Sequence, residues 1–550
     1  MKKVILIATA LMLVSGISNA QQKSKITNIP HPTARPKLVV GIVVDQMRWD
    51  YLYRYYNRYT KGGLRRMLDL GFSCENTLIN YIPSYTAVGH ATIFTGSVPA
   101  LHGIAGNNWV DQLTGKSMYC TDDSTVHSVG NESADGRMSP RNMLTTTITD
   151  ELKMATNFQA KVIGVSLKDR ASILPAGHSG EAYWLDDASG NFITSSYYTS
   201  ELPAWVKSFN NKKRIEALIT NEWNTLYPIG TYIASDTDDK KWEGSFPGEA
   251  APVFPHNLKE IYGKRKSSFR QTPFGNTLTL EMAKAALISN SMGKDSVTDF
   301  LAINCASTDY VGHQFGPNSI EVEDTYLRLD KDLESLFKLL DSAVGKNQYT
   351  VFLSADHGAA HSIGFMQEHK LPADYWYEGP LQDTLNKVLT AKYKVANLVS
   401  SIMNYQVNYN LAIIDSMELD YKAIKESTVA FLQRQPGISF AVDMSFIGQA
   451  PLPEPLESMM KNGYNFKRSG GVQIILNPGW FETYAKTGTT HGTWNPYDTH
   501  IPLVWYGWGI KKGSTNKEVY MTDIAATVAG LLHIQMPNGC VGKVIEEVIR

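Results

Sequence analysis

Apolar runs of strand length alternate with amphipathic helical stretches along most of the chain, a pattern that predicts an α/β core with a mainly parallel central sheet. The clearest runs are Leu38–Val44, Val162–Leu167, Phe300–Ala306, Val351–Ala355 and Ile501–Tyr506. Two regions depart from the alternation. Residues 180–271 are rich in Trp, Tyr, Pro and short charged stretches, and residues 366–466 begin in helical fashion and end in PLPEPLE. Both read as insertions laid over a core, which leaves 36–179, 272–365 and 467–550 as the core's three parts. No repeat or low-complexity tract interrupts this plan.

The first twenty residues change the picture at one end. MKKVILIATALMLVSGISNA carries two lysines, an apolar centre and a small-residue end, the three regions of a secretory signal. Its apolar run is short for a membrane span and polar QQKSK follows at once, so the expectation is an exported protein without a membrane anchor. Charge adds little: 52 basic and 53 acidic residues give a net charge of −1, with no footprint for nucleic acid or an anionic membrane. The four cysteines, Cys74, Cys120, Cys305 and Cys540, are scattered and show no CxxC spacing. At most one disulfide and no thiol chemistry are expected; Cys305, inside an apolar run, reads as a buried hydrophobe.

Chemistry gathers where the strands end. LVVGIVVDQMR closes its apolar run at Asp45, FLAINCASTDYVGHQFG delivers Asp309 and then His313, and VFLSADHGAAHS ends in Asp356 and His357. Ligands of open α/β sheets bind at the carboxyl ends of strands, so three distant segments can converge on one place. His491, in the loop of KTGTTHGTWNPYDTH, is a further candidate, whereas His90, His102, His361 and His500 read as structural or supporting histidines. Mixed carboxylate and imidazole donors suit zinc. Six such donors are too many for one tetrahedral ion and suit two ions with open positions, an arrangement made for phosphoryl transfer. The stretch YIPSYTAVGHATIFTG adds hydroxyls at the mouth of a helix. Ser84 suits a helix cap and Thr86 a nucleophile in the first turn, where an anion is favoured; the residues alone do not choose between them.

The set D-Q-M-R, P-S-Y-T, S-T-D-Y-V-G-H, A-D-H-G and T-T-H-x-x-W-N, in this order from about Arg35 to the C-terminus, resembles the alkaline phosphatase superfamily. It most closely resembles the bacterial phosphate-irrepressible alkaline phosphatases, exported phosphate monoesterases with two zinc ions. The resemblance implies that Asp309, His313 and His491 hold one zinc, that Asp45, Asp356 and His357 hold the other, and that Thr86 is the nucleophile. Tyr85 is left to packing. A covalent phosphothreonine would then be hydrolysed, and the alcohol would leave on the Asp309 side. The fold implied is one α/β core with helices on both faces of the sheet and the two insertions forming a cap.

The superfamily also holds diesterases and sulfatases. The chain lacks the C/S-x-P-x-R motif of the sulfatases. A monoester carries an extra unbridged oxygen that needs a cation or donor, and KVIGVSLKDRASILPAG places Lys168 and Arg170 at alternate positions just past a strand. This pair matches the monoesterase branch, as does Asn107 in HGIAGNNW, with Asn108 the alternative if the register slips. Two departures from the better-known alkaline phosphatases stand out. The nucleophile is Thr rather than Ser, and no clear ligand set exists for a third metal, whose charge Lys168 can replace. The expected substrates are small phosphate monoesters over a broad range, with a phosphodiesterase of the same superfamily as the alternative. The expected destination is the periplasm, with secretion to the medium as the alternative.

Overall fold

In the computed structural model, residues 34–483 and 485–550 are described, and Pro36–Arg550 form one compact unit. The signal-like segment 1–20 lies outside the described residues. Among these residues a sheet of eleven strands runs through the molecule. Its centre comprises β1 (Leu38–Val44), β2 (Val162–Ser166), β3 (Asp299–Cys305), β4 (Tyr349–Ser354) and β5 (Leu503–Gly507), in the spatial order β5-β4-β1-β3-β2. β1 runs parallel to both β3 and β4, and β2 runs parallel to β3; β5 returns antiparallel along β4.

Every residue of β1, β2, β3 and β4 is buried. This explains why they read as near-continuous apolar runs: central parallel strands are covered on both faces and have no polar side to show. Because these four strands are parallel, their carboxyl ends lie along one edge of the sheet. Asp45, Asp356 and Lys168 follow β1, β4 and β2 within two residues. Asp309 and His313 stand in the helix α3 (Ser307–Phe315) that leaves β3. The expected strands are all present, each within a residue or two of its predicted bounds.

The sheet extends beyond residue 180, where an insertion was expected to begin. Glu181–Asp186 pairs parallel with β2 and turns into Asn191–Ser195, so the aromatic pair Tyr183 and Trp184 is buried in a hairpin that widens the main sheet. The later region forms a separate four-stranded antiparallel sheet of Val399–Met403, Gln406–Tyr409, Val472–Leu476 and Ile438–Asp443. Helices Glu378–Tyr393 and Tyr421–Leu432 lie against this sheet, and it has its own apolar core around Leu385, Val407, Ile424 and Ile474. It takes in Val472–Leu476, beyond the boundary drawn at residue 466. Tyr85 packs against this core and against the main one. All four cysteines carry free thiols, and Cys305 is fully buried in β3.

Candidate metal centre and nucleophile

Six of the residues expected to hold metal come together as two triads. Asp45, Asp356 and His357 bring one donor atom each within 4.8 Å of one another, and so do Asp309, His313 and His491. In the first triad His357 Nε2 lies 3.6 Å from Asp45 Oδ1 and 3.5 Å from Asp356 Oδ2. In the second, Asp309 Oδ1 is 3.0 Å from His313 Nε2 and 3.7 Å from His491 Nε2. The triads adjoin, since the His357 and His491 rings stack with centroids 3.4 Å apart.

Main-chain carbonyls set the orientation of all three imidazoles. His357 Nδ1 donates to Gly358 O at 3.0 Å, His313 Nδ1 to Thr489 O at 2.8 Å, and His491 Nδ1 to Ser84 O at 2.7 Å. A carbonyl can only accept, so each ring carries its proton on Nδ1 and turns the Nε2 lone pair to the centre, as a metal ligand must. The carboxylates fit the same purpose. Three buried acids face a single ammonium, that of Lys168, and neither Asp45 Oδ1 nor Asp356 Oδ2 has a hydrogen-bond partner. Burial and the neighbouring Asp356 charge push Asp45 well above the usual carboxylate range. Asp309 is equally buried, but His313, when its ring takes up a second proton in the absence of metal, and Lys168 outweigh that cost and hold it well below that range. Uncompensated buried carboxylates beside lone-pair nitrogens are a donor set suited to divalent cations of the zinc type.

Thr86 opens α1 (Thr86–Thr95), a helix buried along its whole length. Its Oγ1 lies 3.4 Å from His357 Nε2 and 3.5 Å from Lys168 Nζ, between the triads and the lysine. α1 reaches this position because Gly89 has no side chain: a Cβ there would meet Asp356 O at 2.4 Å. Ser84 does not cap the helix. The cap position falls to Tyr85, which makes no side-chain cap bond, and the Ser84 hydroxyl donates instead to Thr493 O at 2.8 Å. The helix starts one residue too late for a Ser84 cap, and that hydroxyl ties the His491 loop to the segment leading into Thr86. Tyr85 packs edge-on against the His491 ring, with centroids 5.6 Å apart.

Lys168 Nζ donates to Asp45 Oδ2 at 2.8 Å and to Asp309 Oδ2 at 2.7 Å, bridging the two triads. Burial alone would discharge it, yet the Asp309 and Asp45 carboxylates hold the ammonium above its ordinary range. Lys168 precedes α2 (Asp169–Ala176), whose second residue is Arg170. Arg170 Nη1 donates to the Tyr119 hydroxyl at 3.0 Å, and that hydroxyl donates on to Asp169 Oδ1 at 2.9 Å. Asn107 Oδ1 accepts the Ala87 N–H at 2.9 Å, which fixes the amide beside the first turn of α1. Asn108 is exposed at the start of a short strand and makes no such contact with α1.

Several supporting residues escaped the sequence reading. Gln46 donates its backbone N–H to Asp356 Oδ1 at 3.2 Å and its side-chain amide to Asp309 Oδ1 at 2.8 Å, so it touches both triads. Its φ of 62° lies in the left-handed region, and its amide reaches Asp309 across Gly312, where a Cβ would fall 2.0 Å from Gln46 Oε1. Its place directly after a strand-end acid was the available signal. Ser166 donates to Asn304 Oδ1 at 2.8 Å, and Asn304 Nδ2 lies 3.4 Å from Asp45 Oδ2. His90, read from the sequence as a structural or supporting histidine, has its Nδ1 3.4 Å from Asp356 Oδ2 and 2.9 Å from Thr86 O. His102, His361 and His500 stand outside both triads, on Thr92, Asn318 and the Glu75 carbonyl respectively.

Comparison with known proteins shows the family of the chain. Residues 39–500 match the family model of type I phosphodiesterase / nucleotide pyrophosphatase. Alkaline phosphatase PafA of Elizabethkingia meningoseptica is 53% identical over 98% of both chains. Alkaline phosphatase PhoV of Synechococcus elongatus is 49% identical over the full length of both. The crystal structure of PafA superposes with a TM-score of 0.93 at 54% identity, covering 94% of this chain and all of that one. A variant of PafA substituted at one Thr, one Asn, one Lys and one Arg has also been solved, and it superposes equally well. The chain belongs to the type I phosphodiesterase / nucleotide pyrophosphatase family, within the alkaline phosphatase superfamily.

Proposed function

We propose that this protein is an exported alkaline phosphatase that hydrolyses phosphate monoesters through a phosphothreonine at Thr86. The observation that carries the proposal is the position of Thr86 Oγ1 within 3.5 Å of both His357 and Lys168, at the junction of the triads. Asp309, His313 and His491 would hold one zinc ion, and Asp45, Asp356 and His357 the other. When bound, the ions supply Lewis-acid stabilisation of charge and lower the pKa of a hydroxyl brought to them.

The chain's own residues divide the remaining work. Thr86 Oγ attacks phosphorus; the Oγ–P bond forms, the ester P–O bond breaks, and the alcohol leaves with a proton. A water oxygen then bonds phosphorus, the P–Oγ bond breaks, inorganic phosphate departs and Thr86 regains its proton. Lys168 and Arg170 provide a point charge and a fork for the unbridged phosphoryl oxygens, which carry most of the transition-state charge. With its Oδ1 held by Ala87, Asn107 has its Nδ2 free to donate to the same group. The residue types substituted in the PafA variant are the same four, with the Lys and the Arg two positions apart as they are here. The small antiparallel sheet and the segment from residue 197 to 271 would form the cap. Among the described residues no helix is long and apolar enough to cross a membrane.

The family model's description keeps a diesterase reading alive, because a diester presents the same phosphorus to the same nucleophile. The test is kcat/KM of the zinc-loaded protein on p-nitrophenyl phosphate and bis-p-nitrophenyl phosphate, side by side. A large monoester preference supports the proposal; a diester preference overturns the substrate class while leaving Thr86 in its role.

A further inference from the structure

A third group of acids lies away from Thr86. Asp238, Glu243 and Glu321 bring one oxygen each within 4.8 Å of one another. Glu321 sits in the first turn of the long helix α4 (Ile320–Leu340) and is wholly buried; Glu243 is 4% exposed. Asp238 is half-buried and gives the cluster its side toward solvent.

The surroundings leave this charge unanswered. Asp238 accepts the backbone N–H groups of Phe254 at 3.1 Å and Asp239 at 3.2 Å, and Glu243 Oε2 accepts that of Lys240 at 3.0 Å. No hydrogen bond reaches Glu243 Oε1 or either oxygen of Glu321. The nearest cationic group is His256, fully buried, whose Nδ1 is 2.9 Å from Glu249 Oε1 and whose Nε2, itself without a hydrogen bond, faces Glu321 Oε1 at 3.4 Å. That imidazole therefore stands between two carboxylates. The Lys240 ammonium turns away to Asp236 and Glu368. Glu249 and Glu321 share that one imidazole, and among the described residues no ion pair reaches Glu243 or Asp238; buried charges of one sign need a partner.

We propose that Asp238, Glu243 and Glu321 form a structural site for a hard divalent cation of the calcium class. The three donors are all carboxylate oxygens with no imidazole among them, the donor type that hard cations of this class take. An ion here would pin the 238–256 excursion to the start of α4. The same excursion braces the second triad. Gly244 N donates to Gln314 O at 2.8 Å, beside His313, and the Gln314 amide returns a bond to Gly244 O at 3.0 Å. Trp242 O accepts the Gly488 N–H at 2.7 Å, in the loop that carries His491.

The experiment uses the zinc-loaded full chain and calcium chloride alone. Calcium carried through purification is counted first by elemental analysis, and the remainder is titrated by calorimetry. The expected result is one calcium per chain and a Tm raised by about 2 °C at a hundredfold excess over Kd. Glu321→Gln and Glu243→Gln should each abolish both signals. A wild-type protein that neither carries nor binds calcium and shows no Tm shift overturns the proposal, as does binding that survives in both variants. Should Glu321→Gln fail to fold, the wild-type titration and Glu243→Gln still decide. A Tm raised by Glu321→Gln in a calcium-blind wild type would identify the acids as a proton-sharing group and reject the site.

Discussion

The two acid–histidine triads share their donor types but meet solvent differently. Asp45, Asp356 and His357 have fully buried side chains, follow the central strands β1 and β4 within three residues, and touch the nucleophile's helix. In the other triad Asp309 is buried, yet the His313 side chain is 35% exposed and His491 rides on a long loop. One triad is built into the sheet; the other is completed by segments that the sheet only supports. The difference teaches where rigidity and access are placed: the group beside the Thr86 hydroxyl is fixed, and the exposed flank is the side on which the proposed mechanism releases the alcohol.

The largest expected effect tests the buried side. Thr86→Ala should lower kcat/KM on p-nitrophenyl phosphate on the order of a thousandfold or more while metal content, read by elemental analysis, stays at the wild-type level. Joint loss of activity and metal would mean that Thr86 holds the site together and does not attack. Next, Lys168→Ala with Arg170→Ala should cost monoester turnover about a hundredfold or more and diester turnover far less; equal losses would remove the pair from phosphoryl binding. The comparison itself is broken or sharpened by Asp356→Ala against His313→Ala. Both should shed one metal ion, but only Asp356→Ala should lower Tm by several degrees in calorimetry, because it leaves the Gln46 and His357 N–H groups without their buried acceptor. Similar Tm values would show the triads to be equally rigid. Gln46→Ala, which loses only the amide bond to Asp309, should weaken metal retention about tenfold in a chelator competition. The smallest effect is reserved for His500→Asn, which should leave both ions in place.

Much of this was legible before any coordinates, for a physical reason. A parallel strand buried on both faces must be apolar throughout, so β1, β3 and β4 announced themselves, and an acid at the end of such a run stands out. His491 was legible only as a loop histidine, since nothing in one sequence states that a loop far from Asp309 will fold back over it. The choice of Thr86 over Ser84 needed a family resemblance, because the two hydroxyls have the same chemistry and only the helix start separates them. The hairpin after residue 180 was missed because its buried Tyr183 and Trp184 resemble the aromatic scatter that follows. Gln46 and the Asp238–Glu321 cluster escaped the reading for another reason. The first acts through a backbone twist, and the second joins residues distant in sequence that carry no spacing pattern.

The carbonyls of Gly358, Thr489 and Ser84 have a consequence for how such a protein can change over generations. The proton position on each imidazole is set by a peptide oxygen, which no side-chain substitution deletes. Drift at Ser84 or Thr489 can alter hydroxyls and methyl groups, but the lone pairs stay aimed as long as the main chain keeps its path. The tautomers are inherited with the course of the backbone, which leaves neighbouring positions free to explore new substrates without first putting the chemistry at risk.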